Sequence, residues 1–151
     1  NLMPSILKVK GLGAGIEELA LDIKTGSKIK VAFTNTCNEA DFSPQNTILV
    51  FRIVQEIITN ILKHAKATKI EILYSNNKRF LLLRIGDNGI GFDPVLLKKS
   101  EKSFGLKNIQ SRLELLEATY YIESYPNKGT TYRIKIPLSS LKHQYDIAYP
   151  N

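Results

Sequence analysis

A chain of 151 residues with a formal charge of +7 has room for one domain and a real core, and 43% apolar against 23% charged residues is a globular balance. No apolar run approaches the roughly 18 residues of a membrane span, and no signal peptide is visible. The single cysteine, Cys37, excludes an internal disulfide and points to a reducing compartment.

The chain starts at Asn1 rather than at a methionine, which suggests a piece of something longer. In chain order, "GIEELALDI" puts Ile16, Leu19, Ala20 and Ile23 on one helical face, with Gly26 as the stop. "KIKVAFT" alternates, with Ile29, Val31 and Phe33 on one side, and reads as a strand. The polar "NTCNEADFSPQ" is a loop. Ser43-Pro44 then opens a helix, a capping hydroxyl before a proline at the first helical position, expected to run to about Ala65. On that helix Ile53, Ile57 and Ile61 form one apolar stripe, and Val50, Val54 and Ile58 a second. Arg52, Glu56, Asn60 and His64 form a polar stripe on the remaining face, with Lys63 beside it. A single carboxylate and an amide at its centre suit either a solvated face or one wall of a site.

Two strands follow, "TKIEILYS" and "RFLLLRIG", joined around Asn76-Asn77, where a positive φ is tolerated in a tight hairpin. Asp87 to Ser103, holding Gly89, Gly91 and Pro94, is a long functional loop with room for one short helix capped by Asp93. "FGLKNIQSRLELLE" aligns Leu106, Ile109, Leu113 and Leu116 on one helical face. "TYYIESY" and "TTYRIKIP" make a last hairpin across Pro126 to Gly129, and the tail after Pro137 is expected to be peripheral. Two hairpins with layered helices imply an α/β (α+β) two-layer sandwich: a mixed, mostly antiparallel sheet, helices on one face, and the other face open or lightly covered.

The charge suits a polyphosphate, an acidic membrane or nucleic acid, and equally plain solubility. The densest basic run, "LLKKSEK", lacks the interleaved aromatics of a nucleic-acid platform. Four stretches carry chemistry. Besides the polar stripe, "GDNGIGFD" delivers Asp87 from a strand end into a loop whose alternate glycines allow close backbone approach, though a plain Asn-Gly turn has the same letters. "SFGLKN" offers a cap at Ser103 and an uncovered first helical turn at Gly105, suited to a phosphate or to nothing more than a helix start. "NKGTT" adds a turn at Gly129 and a hydroxyl at Thr130.

In order and spacing these stretches resemble the N, G1 and G2 boxes of the GHKL ATPase superfamily, which has a Bergerat-type ATP-binding fold. "EIITNILKHA" resembles the N box in its histidine-kinase form and "DNGIGFD" the G1 box. "FGLKNIQSRLELLE" with "YPNKGTTYRIKIP" resembles the G2 region and closing hairpin of sensor kinases that partner NarL/LuxR-type, helix-turn-helix response regulators. "LMPSILKVKGLGAGIEELA" resembles the junction after their phosphoacceptor helices. The likeness covers about Leu2 to Leu138: residues 1–138 are expected to be the ATP-binding domain, 1–10 the end of an upstream dimerisation helix or linker, and 139–151 a tail.

The resemblance implies ATP and Mg²⁺ between the N-box helix and a lid at Pro94 to Lys102. Asn60 would hold the metal, and Glu56 would orient a metal-bound water or assist the nucleophile; these are the implied catalytic and metal residues. Lys63 and His64 would reach the phosphates, with Ser103, Gly105 and Leu106 beside them. Asp87 would take the adenine amine with help from Thr130, and Gly89 and Gly91 would pass close to the base. The reaction would move the γ-phosphoryl to a histidine. Neither His64, in the N box, nor His143, in the tail, suits that acceptor, so it is expected upstream of Asn1. The implied partners are those phosphoacceptor helices, a second copy of the full-length protein and a response regulator, with no nucleic acid. The domain would be cytoplasmic, with an inner-membrane anchor for the parent left open. Ser103 departs from the first G2 glycine, and Glu117-Ala118 stands where glycines often end the helix. The alternatives are a DNA-handling ATPase or serine kinase of the same superfamily, or a non-catalytic basic nucleotide- or nucleic-acid-binding module. The intact Glu56, Asn60 and Asp87 speak against the last.

Overall fold

Ile6–Lys10 (α1) and Leu12–Gly26 (α2) meet at Gly11 in the computed structural model, which describes residues 5–39, 41–93 and 104–142. Next come strand Lys30–Asn35 (β1) and helix Pro44–Asn60 (α3). A π-helical turn, Ile61–Ala65, continues α3 and leads to the hairpin Lys69–Asn76 (β2) and Phe80–Asp87 (β3). Helix Phe104–Leu115 (α4), strands Thr119–Ser124 (β4) and Thr130–Pro137 (β5), and a last turn of helix, Leu138–Leu141 (α5), complete the described chain.

The five-stranded sheet has the order β1-β2-β3-β5-β4. β1 and β2 are parallel and the other pairs antiparallel. A parallel pair needs a long crossover, and α3 supplies it. Burial alternates along the strands: on β5, Thr130, Tyr132, Ile134 and Ile136 are buried while Arg133 and Lys135 are exposed. The buried side meets the helices and the other side faces solvent, as the alternation implies for a two-layer sandwich.

α3 is the keystone. Ser43 caps it, its hydroxyl accepting the Asn46 N–H at 3.1 Å, and Pro44 needs no partner at the first position. Both expected apolar stripes are buried, with Ile53, Ile57, Val50 and Val54 at 0% exposure. Truncating such a side chain to alanine costs about 2–5 kcal/mol.

Three local features differ from the sequence expectation, each for a physical reason. The α-helix ends at Asn60, and the last turn before Ala65 is π-helical. The wider turn breaks the 3.6-residue register, so His64 is exposed whereas Arg52, Glu56 and Asn60 are half-buried. The β2–β3 turn uses no positive φ at Asn76 or Asn77. Instead the Asn77 Oδ1 accepts the N–H groups of Arg79 at 2.9 Å and Phe80 at 2.8 Å, so a side chain replaces the missing turn geometry. The exit of α4, by contrast, is made without a glycine as Glu117-Ala118 requires: Glu117 has φ 54°, and Ala118 N–H donates to the Leu113 carbonyl at 2.9 Å. The tail is not peripheral at its start, because Leu141 is 1% exposed and its carbonyl accepts the Ser43 N–H at 2.8 Å. The expected lid, Ser103, His143 and the helix after Asp93 lie outside the described residues.

Candidate functional site

The C-terminal end of α3, the π turn, the loop after β3 and the start of β5 enclose a cavity of about 440 Å³. One wall is Asn60, Ile61, Lys63, His64, Ala65 and Lys66. Asp87, Thr130 and Tyr132 line the sheet side, and Ile90, Gly91, Phe92 and Leu106 close the rest. The volume suits a small organic ligand.

Asp87 ends β3 directly opposite Thr130. Its Oδ1 accepts the Gly89 N–H at 2.7 Å. Burial raises its carboxyl above the usual carboxylate range, and the backbone N–H groups of Gly89 and Thr130 pull it partly back. No lysine or arginine among the described residues pairs with it. A half-buried carboxylate without a cation keeps acceptor capacity for a donor that enters the cavity.

The loop that carries Asp87 is fastened on three sides. Asn88 Oδ1 accepts the Thr68 and Lys69 N–H groups, each at 2.9 Å, and its Nδ2 donates to Thr68 Oγ1 at 2.8 Å. Ile90 N–H donates to the Ala65 carbonyl at 2.7 Å, tying the loop to the π turn. A Cβ on Gly89 would collide with that carbonyl, so this glycine's close approach is to the protein backbone. Gly91 has φ 63°, and a Cβ there would strike the Tyr125 carbonyl. On the far side, Phe92 N–H donates to the Ser124 hydroxyl at 2.8 Å.

Of the residues singled out from the sequence, the fold brings Asn60, Lys63, His64, Asp87, Gly91, Leu106 and Thr130 around this one cavity. Glu56 and Gly105 sit just behind its lining. A Cβ on Gly105 would lie 2.8 Å from Asn60 Oδ1 and 3.0 Å from Glu56 Oε1, so a larger residue at the start of α4 would displace these two side-chain ends of the polar stripe. Gly89 lies in the loop but not in the lining. The sequence alone did not single out Lys66, Tyr132, Ile90, Phe92 or Ser124. Tyr132 had a signal, being two residues beyond Thr130 on the same strand face. Its hydroxyl is pushed up to about 12 by burial and by the Asp87 charge, with the Asn60 amide opposing. Ser124 had none, because its role depends on the β4–β5 register.

Among the described residues there is no group of three or more histidines, cysteines or acids that would hold a metal unaided. Magnesium does not require one: it takes one or two protein oxygens and completes its shell with phosphate and water. The Asn60 amide, with Glu56 one helical turn away, fits that demand.

Residues 45–140 match the family model described as histidine kinase-, DNA gyrase B-, and HSP90-like ATPase. Sensor protein VraS of Staphylococcus saprophyticus is 40% identical over 139 residues, 92% of this chain and 39% of that protein. Sensor protein VraS of Staphylococcus aureus strain COL is 39% identical over 148 residues, 97% of this chain and 41% of that protein. The chain thus spans about two fifths of the length of these relatives. Among solved structures, the Erythrobacter litoralis EL346 blue-light activated histidine kinase superposes with a TM-score of 0.72 at 23% identity, over 88% of this chain and 43% of that one. Histidine kinase AdeS of Acinetobacter baumannii does so with a TM-score of 0.65 at 16% identity, over 88% and 72%. Both likenesses show the fold, which in this chain is a mixed five-stranded sheet with helices on one face. With the family model covering the cavity and most of the sheet, the chain belongs to the histidine kinase-, DNA gyrase B-, and HSP90-like ATPase family.

Proposed function

We propose that the cavity binds ATP with Mg²⁺ and that this chain is the catalytic domain of a sensor histidine kinase, passing the γ-phosphoryl to a histidine on dimerisation helices of its parent protein. The single observation that carries the reading is Asp87: a half-buried carboxylate, paired with no lysine or arginine among the described residues and fixed by Gly89, in the lining of a cavity that Lys63, His64 and Lys66 also line.

The roles follow from position. Asp87 and Thr130 take the base, and the apolar Ile61, Ile90 and Leu106 exclude water around it. Lys63, His64 and Lys66 face the phosphates, where positive charge is needed. Asn60 offers its amide oxygen to the metal, and Glu56 lies on the same face for the nucleophile side. Bound magnesium supplies charge neutralisation across the phosphates; the protein supplies position. Ser103 and Gly105 belong to the phosphate side, and Gly89 and Gly91 shape the loop that borders the base.

The parent is proposed to be a homodimer with its phosphoacceptor upstream and to serve a helix-turn-helix response regulator, with this domain on the cytoplasmic side. Among the described residues, no helix is long and apolar enough to cross a membrane. The relatives' designation as sensor proteins supports kinase over DNA-handling chemistry.

The direct test is thermal melting with ATP and Mg²⁺. At 100 times the dissociation constant the ligand adds about 2.7 kcal/mol of stability, a shift of several degrees. A melting temperature unmoved at millimolar nucleotide contradicts the proposal. With the parent's upstream helices present, labelled γ-phosphoryl should appear on a histidine there.

A further inference from the structure

We propose that Ser124 determines which purine the cavity accepts, by holding the Thr130 hydroxyl as a hydrogen-bond acceptor towards the ligand. This rests on the nucleotide reading above and adds a specificity residue outside the cavity lining.

Ser124 ends β4 directly opposite Thr130 on β5, and both are buried, at 6% and 4% exposure. Its Oγ has three neighbours. Phe92 N–H donates to it at 2.8 Å, the Gly129 carbonyl lies at 3.3 Å, and Thr130 Oγ1 at 2.7 Å. A serine hydroxyl has one proton and two acceptor sites. If that proton goes to the Gly129 carbonyl, Thr130 donates to Ser124 and all three bonds are made. If it goes to Thr130, the bond to Gly129 is lost, and the other N–H at that carbonyl, from Tyr125, is at 3.4 Å. Buried polar groups favour the arrangement that leaves fewest bonds unmade.

The proton of Thr130 is therefore turned towards Ser124, away from the cavity that Thr130 lines. What it presents to a ligand is lone pairs. Across the strand pair, the Asp87 carboxylate also presents lone pairs. Two acceptors at one end of the cavity select a base that brings a donor there. A 6-amino purine brings two protons on C6, one for each acceptor; a 6-oxo purine sets an oxygen against them and has only its N1–H to donate on that edge. The discrimination is the kind in which a site built for one hydrogen-bonding pattern is left unpaired by the other. Without the Ser124 hydroxyl, Thr130 is free to rotate and donate to a carbonyl.

The test is the ratio of dissociation constants for ITP and ATP, which differ in the C6 carbonyl against the amine and in N1, a donor in ITP and an acceptor in ATP. It is measured on this chain with Mg²⁺, in the wild type and in Ser124→Ala. The ratio should exceed one in the wild type and fall by roughly 3- to 10-fold in the variant, about the worth of one hydrogen bond. Ser124→Cys, close in size but a weak acceptor, should move the ratio the same way and serves if the alanine variant does not fold. A purely structural Ser124 would weaken both nucleotides together and leave the ratio unchanged, and that result overturns the inference while leaving the nucleotide reading intact. Failure of the wild type to bind either nucleotide overturns both, and is distinguishable for that reason.

Discussion

At one end of β2, Tyr74 is fully buried and donates to Glu39 Oε1 at 2.5 Å, which also accepts the Gly13 N–H at 2.6 Å. Near the other end, Asp87 pairs with Ile70 and faces the cavity with Thr130, Tyr132 and Asn60. Both clusters contain a carboxylate and a strand tyrosine, the carboxylate of the first coming from the loop after β1 and that of the second from the end of β3. In the first, the polar groups close on one another: Glu39 caps α2, a helix whose own N-cap, Gly11, has no side chain to do so. Burial, and then the Glu39 carboxylate, push the Tyr74 hydroxyl well above its ordinary value, so it remains a donor. In the second, the backbone N–H groups of Gly89 and Thr130 are the only protein donors given to the carboxylate among the described residues, and it keeps acceptor capacity at the cavity it lines. A structural polar cluster satisfies itself, whereas a binding cluster stays partly unsatisfied until its ligand arrives.

Substitutions separate the two clusters. The largest expected effect is on binding: Asp87→Asn should lower ATP affinity by about 10- to 100-fold, the range for a hydrogen bond to a charged group, measured by titration calorimetry. The ligand-free protein should not be destabilised by that change. Its carboxyl is raised in the folded state, so its contribution to stability is present below the unfolded carboxylate pKa and is lost as pH rises through the higher folded value. Above that folded value the contribution is gone, and the neutral amide removes both the burial cost and the pH dependence. Denaturation curves across that acidic window, wild type against variant, check the sign; a less stable Asp87→Asn would place the residue with the self-satisfied kind.

Glu39→Ala should do the reverse. It strands the Tyr74 hydroxyl and the Gly13 N–H, costing about 2 kcal/mol in denaturant unfolding. ATP affinity per folded molecule should be unchanged. The smallest expected effect lies outside both clusters: Glu117→Gly relieves a left-handed residue at the end of α4 and should add up to about 1 kcal/mol.

The same contrast explains what was legible in the sequence. Asp87, Asn60 and Gly91 sit in short local motifs, so these members of the cavity lining could be singled out before the fold was known. Glu39 was only one polar residue of a loop, because Gly13 and Tyr74 lie 26 and 35 residues away in sequence. Ser124 was hidden likewise, since its pairing with Thr130 depends on hairpin register. The apolar stripes of α3 fixed the core at once. The π turn escaped because one widened turn leaves the preceding periodicity intact, although it sets where Lys63, His64 and Lys66 stand. The sheet layer followed from strand alternation; the Asn77 turn did not, because its hydrogen bonds come from a side chain.

The most direct test of the central claim is amide hydrogen exchange with and without ATP and Mg²⁺. The account predicts added protection at residues 61–66, 87–92 and 130–132, and none at 11–13 or 37–39. Unchanged exchange around the cavity, or protection gained equally at the Glu39 corner, would contradict it.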